Sequence, residues 1–434
     1  MTYDLVIEGN VFYKDKLQKC CVGIFEGKIT DVKKVLKGEI NIDVGDKLVL
    51  PGAIDPHVHF RDPGFPQKED FTSGSLSAVF GGVTTVFDMP NTKPPVTTAS
   101  DVAEKYLAVR GKSHIDYGLY CGLGHKTRVD RAALVAAAFK IYLGETTGDM
   151  GVDNDELLKK GLSEIIASNI PVSIHCEDPK SLPGWTPPKG EPKDTLDYNR
   201  HKPEELETAT IKKLARLNLK GIHIAHISSP ASVEAKPADF TCEVTPHHMF
   251  LNERMGLKTH GKMNPPLRSL SASFGLLTAL LDGKIDIVAS DHAPHTPEDK
   301  DLKFAEAPAG VPGVETMVPM LLMKVRKGEL PLERFVKVVS QRASEIFKLP
   351  SKGSIEVGKD ADIMTVDLRE ALIIKAKNLH SKCGWTPYES MPAVFPRRVF
   401  LRGQQVVQDW ELVGDKGWGL PISRAEPKPA PTPK

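Results

Sequence analysis

The chain is short of charge imbalance, of aromatic residues and of long apolar runs, and each shortage removes a class of function. Its 57 Lys and Arg face 56 Asp and Glu, a net charge of +1. That balance gives no electrostatic case for nucleic acid or for an anionic membrane surface. No apolar run approaches the roughly 18 residues needed to span a bilayer. The opening MTYDLVIEGN carries acidic residues early and has no apolar core, so it does not read as a signal peptide. The cysteines, Cys20, Cys21, Cys121, Cys176, Cys242 and Cys383, show no framework spacing. They suit buried thiols in a reducing cytoplasm. No G-x-G-x-x-G follows an apolar run, which argues against a dinucleotide-binding doubly wound sheet. What remains is a 434-residue chain with 40% apolar residues, long enough for a large core or two domains. Its expected partner is a small molecule, with no nucleic acid and no membrane.

Residues 1–50 read as short strands, Tyr3–Glu8, Lys19–Phe25, Lys28–Lys34 and Asp43–Leu50, with turns at Gly9-Asn10 and Glu26-Gly27. From residue 51 to about 300 the pattern changes. Eight apolar runs recur, at 53–60, 84–89, 115–122, 139–143, 172–176, 221–227, 240–245 and 285–290. Helical segments lie between most of them, including Asp101–Arg110, Asn154–Ser168 with Asp153 as its N-cap, Glu204–Leu217 and Ser271–Leu281. Continuous apolar strands alternating with helices predict a parallel sheet buried on both faces. Eight such units predict an α/β fold, a (β/α)8 TIM barrel over 51–350. Two more helices fall in 314–348, and then 352–366 and 397–407 read as strands. The segments 1–50 and 351–415 are expected to form a small composite β-sandwich. Residues 416–434 form a Pro-rich tail, disordered at EPKPAPTPK.

The chemistry starts in PGAIDPHVHFRDPG, Pro51–Gly64. His57 and His59 are two apart, so on a strand both imidazoles reach one point, and Arg61 continues the alternation. In such a barrel the reactive groups sit at the C-terminal strand ends. Lys140 lies in FKIYLGET, His175 in VSIHCED, His226 in IHIAHISS, and Asp291 and His295 in ASDHAPHT. Four His and one Asp at four strand ends predict a metal centre. Lys140 is the odd member. Burial should lower its pKa, and a neutral amine can take up CO2 to form a carbamate, a two-oxygen ligand able to bridge two cations. If it stays an amine, the site holds one metal. His223, three residues before His226, points the other way. His247 and His248 are adjacent, so on a strand their side chains would face opposite sides.

The pieces DPHVHFRDPG, GGVTTVFDMPNT, FKIYLGET, HCED, AHIS, CEVTPHH, KMNPPLR, ASDHAPHT and GVPGVET run from Asp55 to Thr316. With them the chain resembles the cyclic amidohydrolases, and within them the dihydroorotase family. The combination of HFRDPG, DMPNT and SDHAPHT carries the narrower likeness. The resemblance implies two Zn2+ ions. His57, His59 and Asp291 would hold one, and His175 and His226 the other. Lys140, as N6-carboxylysine, would bridge them with a hydroxide that attacks the ring amide carbonyl. Asp291 would shuttle the proton to the leaving nitrogen. The substrate carboxylate would fall to Arg61, Asn91 and His295, the ring amide to backbone near Pro308 and Gly310, and a loop contact to Thr146. Glu243 would either bind a further zinc, as in some multifunctional relatives, or orient a histidine. Those relatives have Cys where this chain has Ala225. The implied reaction is reversible, zinc-dependent hydrolysis of L-dihydroorotate to N-carbamoyl-L-aspartate in de novo pyrimidine (UMP) biosynthesis, in the cytoplasm. A hydantoinase (dihydropyrimidinase) or allantoinase is the alternative, and a non-catalytic scaffold barrel a more distant one. A homodimer and association with a carbamoyltransferase stay open.

Overall fold

The computed structural model describes residues 2–144 and 150–422. Two eight-stranded sheets carry the architecture. The strands of the first run in sequence order: Ala53–Val58, Val83–Asp88, Asp116–Gly122, Ala138–Leu143, Val172–Cys176, Ile222–Ile224, Thr241–Val244 and Ile287–Val288. Each pairs in parallel with the next. The ring closes through a parallel bridge from Val58 to His292 and a 2.7 Å hydrogen bond from the His59 N–H to the His292 carbonyl. This is the expected (β/α)8 barrel. The first, second and fourth strands are buried at every position. Helices cover the outer face and side chains fill the inside, so the sequence shows continuous apolar runs rather than alternation.

The helices fall where the apolar period puts them, as Ala99–Val109, Asp155–Ala167, Glu204–Ala215 and Leu270–Leu281. The cap of the second is one residue later than expected. Asn154, not Asp153, accepts from the Glu156 and Leu157 N–H groups, at 2.9 and 3.0 Å. Asn154 is the extended residue directly before the first turn, where a short polar side chain can reach the free N–H groups.

The terminal segments join as expected, into one continuous sheet. Its order is Glu411–Leu412, Gln404–Gln408, Arg398–Leu401, Ile363–Val366, Gly38–Pro51, Tyr3–Tyr13, Lys16–Phe25 and Lys28–Lys33. The sheet curls until its far edge returns. The Ile29 N–H donates to the Lys359 carbonyl at 2.8 Å, and the Ile29 carbonyl accepts from Gly358 at 2.7 Å. Ile7, Val22, Ile24, Ile29, Ile363 and Phe400 pack together inside it. The first strand runs straight through Gly9-Asn10, where the sequence suggests a turn. A Cβ on Gly9 would lie 2.6 Å from Val44 and 2.7 Å from Val49. The glycine therefore serves a close approach at a register shift between strands. The chain reverses instead at Lys14-Asp15, both in left-handed conformation.

Only Ile363–Val366 of the expected 352–366 strand is strand. The residues before it form a charge knot on the barrel. Lys352 Nζ lies 2.7 Å from Asp116, 2.6 Å from Asp362 and 3.2 Å from Asp360. Asp116 opens the third barrel strand, so the knot fastens sheet to barrel. Ordered packing also extends past residue 416. Tyr117 donates to the Leu420 carbonyl at 3.0 Å and accepts from the Ile422 N–H at 2.8 Å. Residues 423–434, with the EPKPAPTPK stretch, lie outside the described residues.

Candidate active site

The barrel brings the predicted residues to one mouth. His57 and His175 lie inside the first and fifth strands, His226 two residues past the sixth, and Asp291 three past the eighth. His57, His226 and Asp291 each place a ligand atom within 4.8 Å of the others. Asp291 Oδ1 is 3.1 Å from His59 Nε2 and 3.3 Å from His57 Nε2. His175 Nδ1 is 2.9 Å from His226 Nε2. Three mouth residues hold a left-handed backbone, Arg61 at φ +61°, His226 at +33° and Asp291 at +46°. Outside glycine such a conformation costs about 1–3 kcal/mol and persists only where the surrounding fold imposes it.

Partners behind the imidazoles decide how they face. His57 Nδ1 bonds the Glu243 carboxylate, and His59 Nδ1 bonds Asn91 Oδ1 at 2.7 Å. Each Nδ1 hydrogen thus goes to an oxygen, leaving the Nε2 lone pair turned towards Asp291. Glu243 is fully buried and also accepts from His223 Nε2 and from the His226 backbone N–H, both at 3.1 Å. Burial raises its pKa, but the His57 and His223 interactions outweigh this and hold it well below the usual carboxylate range. With these donors on its two oxygens, Glu243 orients histidines. His223, not read as part of the site from its spacing, props the same carboxylate. Asp55 ties the first strand to the eighth, accepting from Ser290 N–H at 3.0 Å and His57 N–H at 3.2 Å. Burial pushes its pKa up to about 7. No sequence signal beyond its place in the H-x-H stretch marks it.

Lys140 is fully buried in the fourth strand, and its Nζ has no hydrogen-bond partner. Burial, acting against the charges of Glu243 and Asp291, lowers its pKa to about 8. His226 Nδ1 is likewise buried without a partner. Orphaned nitrogens beside convergent imidazole and carboxylate donors are the inventory of a zinc-type site, so these residues fit divalent cations.

Beside this cluster lies a pocket lined also by Arg61, Asn91, Tyr142, Asn264, Ala309 and Gly310. The buried Arg61 guanidinium donates from Nε to the Pro294 carbonyl at 3.3 Å, and its Nη2 lies 3.2 Å from His295 Nε2. Gly310 sits at φ +134°, and a Cβ there would lie 2.5 Å from the Ala293 carbonyl, so only glycine fits. Its N–H is committed to the Lys262 carbonyl at 2.9 Å. Pro308 is not among the lining residues. Its carbonyl accepts from Lys300 Nζ at 2.8 Å, and Ala309 takes the place beside the pocket. Thr146 lies outside the described residues.

His247 and His248 lie on the helix Pro246–Phe250 rather than on a strand. Thr245 caps it and Pro246 opens it, a strong start signal. His248 bonds Thr245 Oγ1 at 2.8 Å and the Pro265 carbonyl at 3.1 Å. Two polar lining residues escape the sequence reading. Tyr142 follows Lys140 by two, the same alternation that pairs His57 with His59. Asn264 lies within KMNPPLR and accepts from Tyr198 Oη at 2.5 Å.

Residues 48–406 match the model of the amidohydrolase family. The chain belongs to the amidohydrolase family. It is 41% identical over 390 residues to a dihydroorotase of Halobacterium salinarum, covering 87% of this chain and 91% of that protein. It is 38% identical over 439 residues to a dihydroorotase of Methanosarcina acetivorans, covering 94% of this chain and 93% of that protein. Among solved structures, the L-hydantoinase (dihydropyrimidinase) from Arthrobacter aurescens superposes with a TM-score of 0.90 at 27% identity. That match covers 98% of this chain and 100% of the other. These likenesses support a hydrolase of cyclic amides. Among the described residues of this amidohydrolase, no helix is long and apolar enough to cross a membrane.

Proposed function

We propose that this amidohydrolase is a zinc-dependent dihydroorotase, interconverting L-dihydroorotate and N-carbamoyl-L-aspartate in cytoplasmic pyrimidine synthesis. The observation that carries the reading is the buried Arg61 guanidinium, set with Asn91 on the pocket wall beside the His57, His226 and Asp291 cluster and touching His295, which is not itself among the lining residues. A buried cation with unspent donors calls for an anion, and the forked guanidinium matches a carboxylate. Asn91 accepts from His59 through Oδ1 and lines the pocket, so its amide N–H groups are the donors it can offer a substrate.

His57, His59, His175, His226 and Asp291 would hold two zinc ions, with a carbamate on Lys140 between them. Zinc, when bound, polarises the amide carbonyl and lowers the pKa of water to about 7. Asp291 takes a proton from the attacking water and returns it to the departing ring nitrogen, as general base and then acid. Arg61, Asn91 and His295 hold the carboxylate so that the amide carbon meets the attacking oxygen.

The test is an assay of the zinc-loaded protein with L-dihydroorotate, hydantoin and allantoin. Turnover of dihydroorotate alone is expected, with kcat/KM falling about 100-fold in Arg61→Ala, the loss of two charge-assisted hydrogen bonds. The fold likeness to a hydantoinase favours a second reading. Under it hydantoin is turned over and Arg61→Ala changes little. A protein that binds well under one zinc per chain and turns over none of the three is a scaffold instead.

A further inference from the structure

Behind the pocket, His295 is held from both sides. Its ring is buried, and its Nδ1 lies 3.0 Å from Lys68 Nζ. Lys68 Nζ is in turn 2.9 Å from Asp299 Oδ2. Asp299 is itself fixed, as the third residue of a capping box with Thr296 at the start of the helix Pro297–Lys300. An ammonium has three donors and no acceptor. The contact therefore requires the lone pair on Nδ1, and a neutral imidazole then carries its hydrogen on Nε2. That hydrogen points at the Ala309 carbonyl, 2.9 Å away, on the pocket wall. Arg61 Nη2, 3.2 Å from the same Nε2, cannot donate to a protonated nitrogen. The Nε2–H is thus held by the Ala309 carbonyl, and the Arg61 Nη2–H beside it finds no acceptor on His295. A carboxylate oxygen is the group that would take the Nη2–H and share the Nε2–H with the Ala309 carbonyl. With the opposite tautomer, Nε2 would accept from Arg61 and the pair would cancel internally. Burial first, then the charges of Arg61 and Lys68, hold the His295 pKa well below its usual value, in keeping with a neutral ring.

We propose that Lys68 is a positioning residue that fixes His295 as an Nε2–H donor, and so sets the preference of the pocket for cyclic amides that bear a carboxylate. The proposal rests on the reading of Arg61 and His295 as the carboxylate site. Lys68 never touches substrate. It acts through one ring nitrogen, with Asp299 holding the ammonium in place.

The first test needs no variant. In 15N-histidine spectra of the zinc-loaded protein, with His295→Gln used only to assign the resonance, His295 should show hydrogen on Nε2 and a lone pair on Nδ1. Hydrogen on Nδ1 overturns the proposal. The second test is kinetic, on zinc-loaded Lys68→Met, Lys68→Arg and Arg61→Ala. Loss of one charge-assisted hydrogen bond should raise KM for L-dihydroorotate about 10-fold in Lys68→Met. kcat should stay within about 3-fold, and Lys68→Arg, which keeps a donor, should recover most of the KM. A KM unchanged in Lys68→Met but raised in Arg61→Ala overturns the role of Lys68 and leaves the carboxylate site standing. A KM unchanged in both removes the carboxylate site, and this proposal with it. A Lys68→Met loss that falls on kcat and metal content, with KM unmoved, marks a structural role and also overturns it.

Discussion

Replacing Lys140 by methionine should stabilise the metal-free protein and abolish its activity. The Lys140 side chain is fully buried, and its nitrogen has no hydrogen-bond partner. Burial lowers its pKa from 10.5 to about 8, although Glu243 and Asp291 pull the other way. At about 1.4 kcal/mol per decade, that drop corresponds to about 3 kcal/mol. At pH 7, below both values, the amine is charged in the folded and the unfolded chain, so the folded state bears the whole cost. Between pH 8 and 10.5 the unfolded chain binds more protons than the folded one, so stability rises with pH across that window. Methionine fills similar volume without the charge. In urea unfolding with chelator and CO2-free buffer, Lys140→Met should gain about 2–3 kcal/mol over wild type at pH 7. The gain should shrink as pH climbs through 8 towards 10.5. Zinc binding and turnover should both be lost. A variant less stable than wild type at pH 7, or a difference flat in pH, refutes the reasoning. Lys140 would then sit in its strand at no cost, and its burial would need no functional explanation.

Glu243→Gln keeps the shape but sets an amide N–H against one of the His57, His223 and His226 donors. Zinc affinity measured by chelator competition should weaken about 10–100-fold, and an unchanged affinity would show that Glu243 does not orient the ligands. Lys352→Met leaves Asp116, Asp360 and Asp362 buried without their shared cation. It should cost about 3–5 kcal/mol in urea unfolding, and Lys352→Arg far less. Burial raises the Glu177 carboxyl, but Lys202, 3.6 Å away, together with His175 and Arg268 outweighs it, and the pKa ends at about 2. Its stabilisation is therefore full above its ordinary value of 4.5 and disappears as pH falls towards 2. The stability gap between metal-free wild type and Glu177→Gln should be constant above about pH 5 and close in that acid window; a gap that widens in acid contradicts the assignment.

Much of the site is legible in the sequence because strand geometry is local. His57 and His59 share a side through the two-residue period alone, and the eight apolar runs announce the barrel before any contact is known. The same period, applied one step further, marks Tyr142 from Lys140. Where the local rule meets a competing one it fails. Gly9-Asn10 has turn composition, but the crowding of Val44 and Val49 against Gly9 makes the residue a strand contact. His247 and His248 look like strand neighbours until Thr245 and Pro246 begin a helix. Pro308 and Gly310 lie two apart, yet only Gly310 lines the pocket, because Lys300 draws the Pro308 carbonyl away.

The amino-acid order alone determined which groups can do chemistry here and at which strand ends they stand, since donor type and alternation are properties of a few neighbouring residues. Only the folded chain decided which nitrogen of each imidazole faces the mouth. That choice belongs to Glu243, Asn91 and Lys68, which lie far along the chain from His57 or His295 or on a different strand end from His59. An imidazole is symmetric enough to serve either way until a distant partner claims one of its nitrogens.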